Sequence, residues 1–226
     1  MTTQLLPTKI FKNCYSAEIL DELRQKYLEL GELSTYIHNW EGPNFEKVMS
    51  HKRKIDFSQH PEIKQLILNG LPEFVRSAPI IQNNVLLQSL IPYEVHCDCG
   101  WLKPNEDETM FYVFVIPFET VNAKTITFDQ TADYLHFVDY KKFNAPLPPD
   151  QCITVEEYEK HLSHCWPQER EYLSIDSIFD WEAGSIFMFD ARRWHSSNNF
   201  NADGVSEKNA LVLMSNIKIK DIDVFY

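Results

Sequence analysis

The chain has 226 residues, 44% of them apolar and 13% aromatic, and a formal net charge of −12 from 21 Lys+Arg against 33 Asp+Glu. A chain of this length buries roughly 70% of the surface that its unfolded form exposes, so a sizeable core is available. The acidic balance argues against nucleic acid and anionic membranes as partners, because sequence-independent contact with either needs a basic face.

The first residues, Met1 to Pro7, have neither the basic region nor the long apolar run of a signal peptide. No apolar stretch is long enough to span a bilayer. Pro7 to Asn13 reads as a short strand or extended arm. Ser16 is placed to cap a helix running to about Leu30, with Glu18 and Asp21 in its early turns and Gly31 just past its end. Ile19, Leu20, Leu23, Tyr27 and Leu30 give that helix one apolar face. Leu33 to Arg53 reads as irregular. It carries Tyr36, His38 and Trp40 and a Glu41-Gly42-Pro43-Asn44 turn, and its aromatics are expected to plug the end of a barrel. Pro61 opens a second helix with Ile63, Leu66, Ile67 and Leu71 on one side.

From about Val85 the pattern turns to strands. Val85–Ile91, Met110–Ile116 and Lys124–Phe128 are rich in β-branched and aromatic residues, and Ser185–Phe189 and Ala210–Met214 follow later. Between the two groups lies an insertion at about 130–180. It contains Pro146, Pro148, Pro149 and a helix from Thr154 to about Cys165, with Thr154 and Glu157 spaced as a capping box. Helices first and short strands after predict a mainly β fold with flanking α: a jelly-roll or double-stranded β-helix core, cupin-like, with N-terminal helices. One domain is expected over 1–226, with 1–84 as helical support and 85–216 as the core. There are five cysteines, Cys14, Cys97, Cys99, Cys152 and Cys165. Their odd count and irregular spacing predict reduced thiols and a cytoplasmic setting rather than a disulfide framework.

The chemistry centres on His96-Cys97-Asp98 and the distant His195. Residues i and i+2 of an extended segment point the same way, so His96 and Asp98 can reach one ion while Cys97 points elsewhere. Two imidazoles and one carboxylate are the ligand set that holds one face of a non-haem Fe(II) and leaves the other positions open. A second cluster, His161-Leu-Ser-His164-Cys165, has metal-binding residue types without regular doublets and reads as a solvated helix face. Cys97 and Cys99 read as packing residues.

The stretch from Trp181 through Gly184, Phe189-Asp190 and His195 to Lys208 resembles the C-terminal half of the Fe(II)/2-oxoglutarate-dependent oxygenase core. It is most similar there to the phytanoyl-CoA hydroxylase-like group. The resemblance implies His96, Asp98 and His195 as catalytic metal ligands, with Fe(II), 2-oxoglutarate and O2 as cofactor and co-substrates. It places Lys208 where the family usually has an arginine that pairs with the distal carboxylate of 2-oxoglutarate. This is a departure, since lysine offers a point charge where arginine offers a planar fork. Gln88 falls near the position of a polar residue beside the inner carboxylate. Arg192 is a rival cofactor-binding residue and so is Arg193. The implied activity is a hydroxylase that releases succinate and CO2, and the presence of Asp98 favours hydroxylation over halogenation.

The alternatives on the same fold are a cupin-like metal-dependent isomerase and a non-catalytic binding protein. Neither needs a buried cation opposite the metal. A small-molecule substrate is expected ahead of a protein one, with Tyr36, Trp40, Trp101, Arg192 and Arg193 as candidates to line its pocket.

Overall fold

The computed structural model describes residues 5–39, 46–73, 80–98, 109–132 and 145–218. Two antiparallel sheets face each other. The larger has seven strands in the order β1-β8-β5-β10-β4-β3-β2, and the smaller has three in the order β7-β6-β9. The strands of the large sheet are β1 (Lys9–Phe11), β2 (Glu32–Asn39), β3 (Glu46–Lys54), β4 (Ile80–Ser89), β5 (Thr109–Pro117), β8 (Ile186–Asp190) and β10 (Lys208–Lys218). Those of the small sheet are β6 (Lys124–Thr131), β7 (Ile175–Asp180) and β9 (Arg193–Ser197).

Period-2 alternation sorts the large sheet into two faces. Tyr112, Phe114 and Ile116 of β5, Ile186 and Met188 of β8, and Leu211 and Leu213 of β10 form one core layer with the helices. Val113 and Val115, Phe187 and Phe189, and Ala210 and Met214 face the other way, toward the small sheet. Both faces of these central strands are apolar because both are covered, each fully buried large side chain contributing about 1.5–3 kcal/mol.

The helical layer is α1 (Ala17–Leu30) and α2 (Pro61–Gly70). The Ser16 side chain accepts from the Ile19 amide at the start of α1, and the Gly31 amide closes its end on the Tyr27 carbonyl. Leu20, Leu23 and Tyr27 are its buried stripe. The Tyr27 hydroxyl donates to Asn84 Oδ1, whose amide also bonds the Ile55 backbone at both N–H and C=O, so a buried polar group of β4 is satisfied.

The structure departs from the sequence reading in three places. Leu33 to Arg53 is not irregular: β2 and β3 pair over Glu32 to Lys54 and extend the large sheet. The first 84 residues therefore supply strands as well as helices, β1 among them through its pairing with β8. The expected insertion ends earlier than 180, since β7 is a strand of the small sheet. The helix after Thr154 keeps its capping box but is short. It runs over Val155–Glu157 and continues as a π turn over Tyr158–Leu162. Its His161 is 5% exposed and Cys165 beyond it 6%, so that cluster packs against the small sheet and is not a solvated face. Among the described residues, no helix is long and apolar enough to cross a membrane.

Candidate metal centre

His195 lies on β9, an edge strand of the small sheet. Its backbone forms an antiparallel bridge with His96 through two bonds, His96 N–H to His195 O at 2.9 Å and His195 N–H to His96 O at 2.8 Å. The Asp98 amide donates to Ala191 O, which pins the far side of the segment. This local pairing brings residues 99 positions apart to one point (195 − 96). Between the two ligands Cys97 turns away into the core with Ile126 and Trp194, as the alternation predicts, whereas Cys99 lies outside the described residues.

The ligand atoms of His96, Asp98 and His195 lie within 4.8 Å of one another. His195 Nε2 is 3.5 Å from Asp98 Oδ2. Two neighbouring ligands on a shared octahedral ion stand roughly 3 Å apart when metal–ligand bonds are near 2.1 Å, so the set is nearly closed on an ion. Each imidazole has its Nδ1 on a backbone carbonyl, His96 on Glu94 O at 2.7 Å and His195 on Arg193 O at 3.1 Å. A carbonyl only accepts, so Nδ1 carries the proton in both rings and Nε2 is left with its lone pair toward the centre. Burial and the neighbouring His96 push His195 down to about 4, with Asp98 opposing. His195 is therefore neutral near pH 7, the form a metal needs.

The three residues open into a cavity of about 360 Å³ between the two sheets. Lys208 enters it from β10, in register with Ser89 of β4. It is 3% exposed, and its Nζ sits 4.0 Å from the centroid of Trp181 and 5.2 Å from that of Phe200. Among the described residues no carboxylate forms an ion pair with it. Burial alone pulls the amine down to about 7. A buried amine that faces a cavity and lacks a carboxylate partner among the described residues is chemically suited to an anion.

The other expected site residues are placed elsewhere. Gln88 does not reach the cavity: Asn83, Val85, Leu87 and Ser89 of β4 line it, so Gln88 faces the other side and donates to Glu207 at 3.0 Å. Arg192 is not an anchor for a ligand. Its guanidinium is held by the Asp190 carboxylate through Nε at 2.9 Å and NH2 at 2.7 Å, and both residues are buried. Arg193 pairs with Asp176 at 3.4 Å and donates to Phe128 O. Tyr36 is 43% exposed and stacks on Tyr93, whose ring lies 5.5 Å from that of His96. Trp40 and Trp101 lie outside the described residues. Among the lining residues that the sequence reading did not assign to the pocket are Lys52, Tyr93 and Trp181. Trp181 was legible as part of the approach to Gly184, but Lys52 carries no local signal, because its inward aim follows from the pairing of β3 with β4.

No family model matches the chain, and no curated protein matches it in sequence. Solved structures do. SnoK, a non-heme alpha ketoglutarate dependent carbocyclase from nogalamycin biosynthesis, superposes with a TM-score of 0.56 at 16% identity, covering 93% of this chain and 79% of SnoK. EvdO2 from Micromonospora carbonacea var. aurantiaca, complexed with 2-oxoglutarate, gives 0.51 at 12% identity over 93% of this chain and 86% of its own. AviO1 from Streptomyces viridochromogenes Tue57 gives 0.51 at 10% over 95% and 91%. The chain has the Fe(II)/2-oxoglutarate oxygenase fold. Within that fold, the His96–Asp98–His195 cluster and Lys208 lie in one cavity, drawn from the two facing sheets.

Proposed function

We propose that the protein is an Fe(II)- and 2-oxoglutarate-dependent oxygenase that hydroxylates a small-molecule substrate and releases succinate and CO2. The observation that carries this reading is the pairing, in one cavity, of a two-histidine, one-carboxylate cluster with a buried lysine that has no carboxylate partner among the described residues. The donor set suits Fe(II), and a dianionic keto acid has one end for a metal and one for the buried amine that shares its cavity. Iron held there with the keto acid would supply activation of O2, coupling oxidation of the keto acid to oxidation of the substrate.

The chain's own residues do the rest. His96 and His195 present Nε2 because Glu94 and Arg193 carbonyls fix their rings. Asp98 contributes a negative charge that offsets the cation. Lys208 orients the keto acid from the opposite sheet. Val113, Val115 and Phe189 keep the inner wall apolar, which excludes water from the reacting atoms. A cupin-like isomerase or a plain binding protein would have no use for Lys208 in this position, and the carboxylate of Asp98 supports hydroxylation over halogenation. The Gly184-to-His195 segment followed by Lys208 supports the phytanoyl-CoA hydroxylase-like group within the class.

The test is anaerobic addition of Fe(II) and then 2-oxoglutarate to the metal-free protein. A visible charge-transfer band is expected in wild type and its loss in His195→Ala. A wild-type protein that binds Fe(II) and shows no band with the keto acid would overturn the proposal.

A further inference from the structure

Lys52 is the second cation of the cavity. It sits on β3 in register with Leu87, and Ser50 two residues earlier is in register with Ser89, so strand pairing turns both toward the cavity that Leu87 and Ser89 line. Its Nζ lies 5.3 Å from the centroid of Tyr36 and 5.9 Å from that of Tyr93. Those two rings are stacked, 6.2 Å apart and inclined by 12°, and the Tyr93 hydroxyl is fixed by that of Ser50. Among the described residues no carboxylate lies within ion-pair distance of the Lys52 ammonium. Asp98 acts on it through space, against a burial that weakens the charged form.

Two features make this lysine more than a solvated strand residue. The chain is acidic by twelve charges, yet among the described residues the Lys, Arg, Asp and Glu side chains that line this cavity are Lys52, Lys208 and Asp98, two basic and one acidic. Once Asp98 is committed to a cation, Lys52 has Tyr36 and Tyr93 beside it and Lys208 has Trp181 and Phe200, and among the described residues no carboxylate pairs with either. They also come from different strands, β3 and β10, separated by β4. One keto acid needs one of them. Leu87, Ser89 and Ala210 lie between the two lysines by strand register, and an aliphatic wall of Val85, Val212 and Met214 extends from there along β4 and β10.

Resting on the reading above, we propose that Lys52 forms an anion subsite beside the metal centre, and that the primary substrate is a small organic acid whose carboxylate is held there while its apolar body lies on the aliphatic wall. The size fits. A cavity of about 360 Å³ is at the lower end of the roughly 300–1,000 Å³ in which small-molecule sites fall, and a co-substrate shares it. The stacked Tyr36 and Tyr93 hold the ammonium in place from one side, so the carboxylate approaches from the cavity. The Tyr93 and Ser50 hydroxyls bond each other, and Tyr93 lines the cavity on the same side.

The experiment is calorimetric titration of the full chain, loaded anaerobically with Fe(II) and saturating 2-oxoglutarate so that Lys208 is occupied. The probes are hexanoate, benzoate and N-acetyl-leucinate, each against its primary amide. At least one acid is expected to bind wild type about tenfold or more tightly than its amide, the scale of a lost charge-assisted hydrogen bond. Lys52→Met should abolish that preference while leaving amide binding and the charge-transfer band unchanged, and Lys52→Arg should retain it. Acids that bind wild type no better than their amides overturn the proposal, whatever the variants do. So does a preference that survives in Lys52→Met. Failure of the iron and keto-acid reading shows separately, as absence of the band in wild type. In that case the same titration of the metal-free chain still decides whether Lys52 selects acids.

Discussion

Lys208 concentrates the chemistry of the site in one side chain. A lysine amine titrates near 10.5, and burial beside Trp181 brings this one to about 7. In the ligand-free protein the amine is thus charged below pH 7 and largely neutral above it, while the unfolded chain keeps the proton up to its own higher value. Between about pH 7 and 10.5 the unfolded state therefore holds more protons, and this group's contribution to stability rises with pH through that window; below pH 7 its full destabilising effect is present. A bound carboxylate reverses the preference, because it stabilises the ammonium. Affinity for 2-oxoglutarate should be flat below pH 7 and fall about tenfold per pH unit above it, as binding must then take up a proton. Lys208→Arg should flatten that profile, since a guanidinium does not titrate in this range. Lys208→Met should lose the keto acid and, at pH 6, melt higher than wild type, by roughly 2–4 °C for each kcal/mol recovered. Equilibrium binding against pH and a melting curve at pH 6 check both, and a wild-type affinity that does not change between pH 6 and 9 contradicts the assignment.

At the scale of elements, the turn into β8 controls whether the central strands assemble. Gly184 has φ of +74°, and a Cβ there would lie 2.3 Å from the Tyr15 carbonyl oxygen. Its own carbonyl accepts from the Cys14 and Tyr15 amides, tying the start of α1 to the large sheet. Gly184→Ala should cost about 1–3 kcal/mol through backbone strain and contact, lowering Tm while leaving the charge-transfer band intact in the cold. A variant that melts like wild type would show that the turn relaxes freely. The elements readable from sequence share one property with this turn: their signals are local. Alternation along β10 sets Lys208, Ala210 and Val212 on the face opposite Leu211 and Leu213, and the i, i+2 rule separates Asp98 from Cys97. What escaped was non-local. β2 and β3 are rich in polar and charged residues because they end the sheet, so Glu46–Lys54 looks like a loop until β4 pairs with it. Gln88 was misplaced by a single residue of register, which in a strand means the opposite face. Arg192 looked like a free cation because its Asp190 partner, two residues away, is also the acceptor for the Leu6 amide from the far end of the chain. His161 and Cys165 looked solvated because a short capped helix gives no hint that its polar residues pack inward.

For the whole molecule, the site is a clasp between the sheets. His195 belongs to the small sheet, and His96 and Asp98 are bridged to it, whereas Lys208 belongs to the large one. On the proposed function, a metal alone would engage the small sheet and the segment after β4, and a keto acid held by Lys208 as well would join it to β10. Binding to the native state alone stabilises by RT ln(1 + [L]/Kd), about 2.7 kcal/mol when the ligand is at a hundred times Kd. Anaerobic melting should consequently show two steps: a rise in Tm with Fe(II), and a further rise when 2-oxoglutarate follows. Removal of the metal by a chelator should cancel both steps, because the keto acid then has only Lys208 to hold it. Lys208→Met should keep the first step and lose the second, and His195→Ala should lose both. Amide hydrogen exchange gives the spatial check. Iron should slow exchange in β9, and the keto acid should extend the protection across the cavity into β10. Protection that stays on the small sheet when the keto acid is added would mean that nothing spans the gap, and Lys208 would then have some other task.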